Sequence, residues 1–220
     1  VTGDWSSDVC SSDLIINKDD SIISAASCTT NAIVPVLKVL DDKFGIVNGH
    51  IETVHAYTND QNLIDNFHKK NRRGRGAPLN MVITSTGAVN AVAKALPNLK
   101  DKLTGNAIRV PTPNVSLAIM SLLVDTCVNV DEVNNYLRSV AFHSEYREII
   151  GYVNSPEIVS TDFYSSPFAS VIDSQATIVN DNRMTIYCWY DNEYGYSKQV
   201  IGLTKKVAGI HLPRLPKPIS

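Results

Sequence analysis

A chain of 220 residues, 44% apolar and 19% charged with a formal net charge of −2, can bury one sizeable core and has no bulk attraction to nucleic acid or an anionic membrane. Its apolar runs fall short of the roughly 18–20 residues that a membrane-spanning helix requires. Four cysteines, Cys10, Cys28, Cys127 and Cys188, show no C-x-x-C or Cys/His metal spacing, so no metal site is expected and reduced thiols in a cytoplasm are.

Residues 1–14 carry the near-repeat "SSDVCSSDL", with three Asp and no Lys or Arg, and lack the basic region and apolar core of a signal peptide. "SIISAAS" (21–27) reads as a short buried strand. "CTTNAIVPVLKVLDDKFG" (28–45) reads as a helix: Ile33, Val34, Leu37 and Leu40 fall near helical spacing, Gly45 supplies the stop, and Pro35 introduces a local distortion. Residues 45–58 form one long or two short strands. Residues 59–80, rich in Asn, Asp, Gly and Pro, form a long ordered loop of the kind that often carries function.

"GAVNAVAKALPNL" (87–99) predicts a short amphipathic helix ended by Pro97. "VSLAIMSLLVDTCVNV" (115–130) predicts an apolar strand, followed over 131–142 by a helix with Asp131 as N-cap. "ATIVN" and "RMTIYCWY" flank Asp181-Asn182 as a hairpin. Residues 195–210 close the chain as an amphipathic helix with Val200, Ile201, Leu203 and Val207 on its apolar side. Cys127 and Cys188 read as small apolar fillers of strands. The sum is an α+β fold, a mixed and mainly antiparallel sheet with helices on one face. No G-x-G-x-x-G follows a strand, so the dinucleotide-binding fingerprint does not occur.

The chemistry concentrates at Ser27-Cys28-Thr29-Thr30-Asn31, a thiol among hydroxyls at a strand-to-helix junction. A helix N-terminus stabilises a thiolate and binds anions. Capping accounts for Ser27 and Thr29 but leaves the cysteine unexplained. His55, in "TVHAYTND", is either an ordinary strand histidine or the base a nucleophilic cysteine needs close in space. "KKNRRGR" (69–75) puts five cations into seven positions. It can be a solvated loop, a nucleic-acid surface (though no aromatic residues interleave) or a source of guanidinium for an anionic substrate. Arg109, beside an apolar strand, fits the last reading best, since an Arg entering a core needs an anion.

"SAASCTTNAIVPVLKVL", "HAYTNDQ", "TSTGAVNAV", "IRVPTPNVS" and "WYDNEYGYS" occur in this order. Together they resemble the catalytic half of the phosphorylating glyceraldehyde-3-phosphate dehydrogenases, over about residues 15–220. The resemblance implies Cys28 as nucleophile and His55 as its base and acid. It places Thr58 and Arg109 around the substrate's own phosphate, and Ser27, Thr29, Thr86 and Gly87 around the attacking inorganic phosphate. Arg73 matches the phosphate-facing arginine of the long loop. Asn192 matches the residue that holds the nicotinamide carboxamide of NAD or NADP. Ala32 stands where many members have a second Cys, and Tyr194 where Trp is common.

The implied reaction is addition of the thiol to a phosphorylated aldehyde, oxidation to a thioester and capture by phosphate, in a cytoplasmic homotetramer that binds neither membrane nor nucleic acid. In the family a Rossmann domain precedes the segment matching "IISAASCTTN"; here residues 1–14 stand there, and they look like a sequencing-adapter reading frame. They are therefore expected to be a non-native leader, with a disordered native leader as the alternative. On this reading the Rossmann domain is absent, residues 15–194 are the catalytic domain, and residues 195–220 are a helix and tail that pack on the missing domain. Other readings are an erythrose-4-phosphate dehydrogenase or paralogue, a Cys/His hydrolase, and a nucleic-acid-binding module.

Overall fold

Burial alternates almost strictly along the two central strands β4 (Ser116–Val124) and β8 (Arg183–Tyr190), and this alternation sets the layering. Their antiparallel register pairs Ala118 with Cys188, Met120 with Ile186 and Leu122 with Met184, all on the buried face. Over that face lies α1 (Cys28–Phe44), with Ile33, Val34, Leu37 and Leu40 buried, each contributing roughly 1.5–3 kcal/mol. The computed structural model describes residues 23–210; the leader 1–14 with Cys10, and the tail beyond 210, lie outside the described residues.

The sheet has eight strands in the order β2-β3-β1-β4-β8-β6-β5, with β7 pairing off the path on β8. The remaining strands are β1 (Ile46–Ala56), β2 (Val82–Thr84), β3 (Leu103–Val110), β5 (Ile150–Val153), β6 (Ser170–Asp173) and β7 (Ile178–Asn180). Among the described residues β1/β3 and β5/β6 pair in parallel and the other pairings are antiparallel. Helices α2 (Ala88–Ala95) and α3 (Val130–His143) contribute to the same core as α1, and α4 (Tyr194–Val207) follows β8. This is the expected α+β class, mixed and mainly antiparallel with its core-forming helices on one face.

Several local expectations hold. Helix α1 runs unbroken through Pro35 and stops at Gly45, whose φ of 67° is the left-handed conformation glycine favours. The hairpin turns at Asp181-Asn182. Residues 59–80 form the long ordered loop, containing two short 3-10 turns. On α4, Ile201 and Val207 are exposed and Gly195 is the buried residue.

Others are corrected. Residues 23–27 are not a strand: Ser24 makes a single bridge, and the segment bends into the helix. The N-cap of α3 is Asn129, not Asp131. Its Oδ1 accepts from the Glu132 N–H at 2.9 Å while Glu132 Oε2 accepts from the Asn129 N–H at 3.0 Å, a reciprocal cap that starts the helix two residues sooner. Strand β4 ends at Val124, so Cys127 is exposed in a loop, whereas Cys188 is buried in β8 as expected. Among the described residues no cluster of His, Cys, Asp or Glu could hold a metal ion, and no helix is long and apolar enough to cross a membrane.

Candidate active site

The parallel pairing of β1 with β3 sets His55 directly beside Arg109 near the C-terminal ends of both strands. Above them sits the first turn of α1. Ser27 caps it, its Oγ accepting from the Thr30 N–H at 3.1 Å. The Asn31 side chain ties the approach down by donating to the carbonyls of Ala25 at 2.7 Å and Ser27 at 2.9 Å. Ala26 is held at φ 54°, a left-handed conformation that costs a residue with a Cβ roughly 1–2 kcal/mol. This strained turn delivers Cys28 as the first residue of the helix.

Cys28 Sγ lies 3.5 Å from His55 Nε2. Tyr190 closes the far side. Its ring meets the His55 ring edge-on with centroids 5.9 Å apart, and its hydroxyl shares a 2.9 Å hydrogen bond with Thr29 Oγ1. Around this pair a cavity of about 380 Å³ is lined by Ser27, Cys28, Thr29, His55, Arg73, Thr86, Gly87 and Arg109, all sequence-predicted site residues. Thr86 Oγ1 accepts from the Ala88 N–H at 3.2 Å at the start of α2, next to Gly87.

Arg73 is buried and already engaged: it pairs with Asp60, and donates from Nε to Thr84 Oγ1 at 3.0 Å and from Nη2 to the Ser85 carbonyl at 3.3 Å. Arg109 donates from Nη1 to the Ala56 carbonyl at 3.1 Å, and its buried Nε has no hydrogen-bond partner among the described residues.

Two expected residues do not line the cavity. Thr58 sits half-buried just past β1, its carbonyl accepting from the Gln61 N–H at 2.9 Å. Asn192 is buried between β8 and α4, where its Oδ1 accepts from Ser116 Oγ at 3.0 Å. Ser116 Oγ in turn accepts from the Ala56 N–H at 3.1 Å, so Asn192 is two hydrogen bonds from the residue after His55.

Sequence reasoning missed Tyr190 and Ser116, and it gave no separate role to Asn31 or to Lys70, which also lines the cavity, within their motifs. Tyr190 was detectable, because the two-residue alternation through Met184, Ile186 and Cys188 points it inward.

The electrostatics correct one expectation. A thiolate favoured by the helix N-terminus and His55 is not the resting state here. Burial pushes the Cys28 thiol above its ordinary value, against opposing hydrogen bonds from Thr29 and the positive charge of Arg109. Burial, then Arg109, lowers His55 to about 4, so the ring is neutral at pH 7. The site holds a thiol beside a neutral imidazole, which is a nucleophile with a base, in a pocket walled by two guanidiniums.

The chain matches the family described as "Glyceraldehyde 3-phosphate dehydrogenase, C-terminal domain" over residues 27–192. It is similar to a glyceraldehyde-3-phosphate dehydrogenase-like protein of Pseudomonas aeruginosa, 63% identical over 92% of this chain and 44% of the relative. A chloroplastic glyceraldehyde-3-phosphate dehydrogenase of Arabidopsis thaliana is 49% identical over 86% of this chain and 48% of its own length. The glyceraldehyde-3-phosphate dehydrogenase of Zymomonas mobilis is 43% identical over 88% of this chain and 57% of its own length. The chain thus spans about half the length of the curated relatives it matches.

Proposed function

This chain belongs to the glyceraldehyde-3-phosphate dehydrogenase family, an oxidoreductase family, through its C-terminal domain, and on that premise we propose that it carries the thioester-forming site of a phosphorylating aldehyde dehydrogenase. The substrates are glyceraldehyde 3-phosphate and inorganic phosphate, and the product is 1,3-bisphosphoglycerate. The observation that carries the reading is the 3.5 Å approach of Cys28 Sγ to His55 Nε2 inside a cavity that Arg73, Arg109 and a helix N-terminus make receptive to anions.

His55 takes the thiol proton as Cys28 adds to the aldehyde carbon, hands it to the oxyanion so formed to make the adduct's hydroxyl, and takes it back from that hydroxyl when the adduct is oxidised. Ser27, Thr29, Thr86 and Gly87 hold the attacking phosphate. Its oxygen forms the new bond to the acyl carbon as the carbon–sulfur bond breaks, and His55 returns a proton to the sulfur. Arg109 holds the substrate's own phosphate, and the resemblance adds Thr58 as a second contact from outside the cavity wall. When bound, NAD or NADP supplies the hydride acceptor that turns the adduct into a thioester. Asn192 fits the nicotinamide carboxamide, because Ser116 pins its Oδ1 and so fixes which way the amide faces. The described residues offer nothing matching a pyrophosphate cradle, so the fit extends to that end of the cofactor alone.

The proposal includes a homotetramer in the cytoplasm, with a catalytic domain ending at residue 194 and α4 as a helix that docks on a cofactor-binding domain. Exposed Leu63, Ile64, Phe67, Leu79 and Met81 on the long loop, and Ile201 and Val207 on α4, support surfaces made to be covered.

The acyl half of the reaction can be tested without a cofactor. Acetyl phosphate should transfer its acetyl group to Cys28, releasing inorganic phosphate, and added phosphate should reverse the transfer. Mass spectrometry of the intact chain and of Cys28→Ser reads both steps. Acetylation of Cys127 at the same rate as Cys28, or discharge of the acetyl group to water with no response to phosphate, overturns the reading; the latter outcome is that of a hydrolase.

A further inference from the structure

We propose that Arg109 sets the tautomer of His55, and that an anion seated on its guanidinium switches the ring from hydrogen-bond donor to acceptor toward Cys28. This deepens the proposed function and rests on it, since the anion is there the phosphate of the aldehyde substrate.

Two atoms meet at His55 Nδ1. Arg109 Nη1 is 2.7 Å from it, the Ala56 carbonyl oxygen is also 2.7 Å from it, and Nη1 is 3.1 Å from that oxygen. A neutral imidazole nitrogen carries either a proton or a lone pair. The two 2.7 Å contacts are therefore alternatives. If Arg109 donates to Nδ1, the ring proton sits on Nε2 and points at Cys28 Sγ, 3.5 Å away. If Nδ1–H donates to Ala56, Nε2 presents a lone pair to Cys28 and can act as a base.

The surroundings keep the choice between these two neutral forms. A doubly protonated ring would press Nδ1–H against the guanidinium. The other groups near the ring are Arg73 from the long loop, whose charge also opposes a cationic ring, Cys28 from α1 and Tyr190 from β8.

Arg109 is built to respond to an anion. Its backbone is fixed beside His55 by the strand register, so only the guanidinium has to move. Among the described residues its buried Nε lacks a hydrogen-bond partner, so an anion gives that N–H an acceptor and breaks nothing there. A bidentate anion on Nε and Nη draws Nη1 away from Nδ1. The ring then loses its Nε2 proton to pocket water and takes one from water at Nδ1, with no change in its charge. The base lone pair thus appears when a phosphate-bearing substrate is seated. Arg109 acts here as a positioning residue, through His55.

The test uses the chain with ¹⁵N-labelled histidine and glycerol 3-phosphate, which has the phosphate but no aldehyde. In the free protein His55 should show Nε2 as the protonated nitrogen. Saturating glycerol 3-phosphate should exchange the protonated and unprotonated signals of the two ring nitrogens. Arg109→Gln should show Nδ1 protonated with and without the anion, and Arg109→Lys should shift only partly. Acetyl transfer to Cys28 is measured on the same samples. A ring already protonated at Nδ1 without the anion, or one that glycerol 3-phosphate leaves unchanged, overturns the tautomer proposal. If acetyl transfer nevertheless proceeds, the proposed function stands without it. A switch of tautomer with no acetyl transfer supports the coupling and removes the dehydrogenase reading instead.

Discussion

His55 Nε2 stands 3.5 Å from Cys28 Sγ, although the histidine ends a strand and the cysteine begins a helix. Their meeting is a product of topology. Strand β1 runs up the middle of the sheet between β3 and β4, and α1 lies across its buried face, so the helix start and the strand end share one edge. Both groups are buried enough that each resists its charged form. The pair stores no ion pair at rest and develops charge only as a reaction proceeds.

Burial of a neutral His55 makes folding stability depend on pH. Its pKa falls from 6.5 when unfolded to about 4 when folded. Between those values the unfolded chain binds a proton that the native site refuses, so stability is lost as pH falls from 6.5 toward 4. Above 6.5 the ring is neutral in both states and contributes no slope. The full loss is about 3 kcal/mol. Urea midpoints at pH 7.0, 5.5 and 4.5 should decline along this curve, and His55→Asn should flatten it. An equal decline in the variant would assign the pH dependence to other groups.

The cysteines should separate into three behaviours. Cys127 is exposed and should react with iodoacetamide as an ordinary surface thiol. Cys188 is fully buried, its thiol pushed up to about 12, and should label only as fast as the protein unfolds. Cys28 depends on the neighbouring base. With saturating inorganic phosphate seated on Arg109, so that His55 Nε2 offers its lone pair, His55→Gln should slow Cys28 labelling at pH 7.5 by about a hundredfold or more, within the range assigned to positioned proton transfer, with Cys127 unchanged as the internal control. Peptide mapping over a time course reads all three rates. A Cys28 rate indifferent to His55 would remove the base from the site.

Some of this was legible in the residues alone because local chemistry decided it. Gly45 had to end α1, Asp181-Asn182 had to turn, and Ser27 had to cap whatever began at Cys28. The run Leu103–Val110 hid its nature: its faces are both half-covered, so it shows no clean alternation, and β3 became apparent only through its pairing with β1. That pairing is what brings Arg109 to His55, so the most consequential contact of the site lay outside any local pattern. Cys127 misled for the converse reason. After Asp125-Thr126, Cys127 and Val128 resume the apolar character of the strand beyond its last ladder position, Val124, and composition does not reveal where hydrogen bonding stops. Thr58 and Asn192 were reached by resemblance, and their surroundings hold them through backbone and serine contacts that no spacing encodes.

Arg109→Ala should erase the preference for a phosphorylated aldehyde. A charge-assisted hydrogen bond to phosphate is worth roughly 1.5–3 kcal/mol, hence about ten- to hundredfold in affinity. Protection of Cys28 against iodoacetamide by glyceraldehyde 3-phosphate, compared with glyceraldehyde, measures that preference directly. The wild-type chain should favour the phosphorylated compound by this margin and the variant should not. Arg109→Lys should recover little, because the ammonium keeps the charge but loses the planar fork. A variant that still prefers the phosphorylated aldehyde would place the anion elsewhere, with Arg73 and Lys70 the next cations on the cavity wall.

The two halves of the reaction should come apart in the 220-residue polypeptide. Acyl transfer needs a thiol, a base and an anion site, and Cys28, His55 and the hydroxyls around Gly87 supply them within one cavity. Hydride transfer asks for more, since the nicotinamide carbon must sit about 3–3.5 Å from the substrate carbon. On the proposed reading Asn192, reaching a carboxamide, secures only one end of a long flexible molecule. The sequence contains no G-x-G-x-x-G turn to take the pyrophosphate onto a helix N-terminus. The polypeptide supplied with glyceraldehyde 3-phosphate, phosphate and NAD should therefore form negligible NADH while still exchanging acetyl groups between Cys28 and phosphate. Adding a separately expressed dinucleotide-binding domain from a relative should restore NADH formation in proportion to its binding, with α4 as the face it covers. Steady NADH production by the polypeptide alone would mean that the residues holding the cofactor have been misjudged, and Ser116→Ala, which frees Asn192, would be the first variant to locate them.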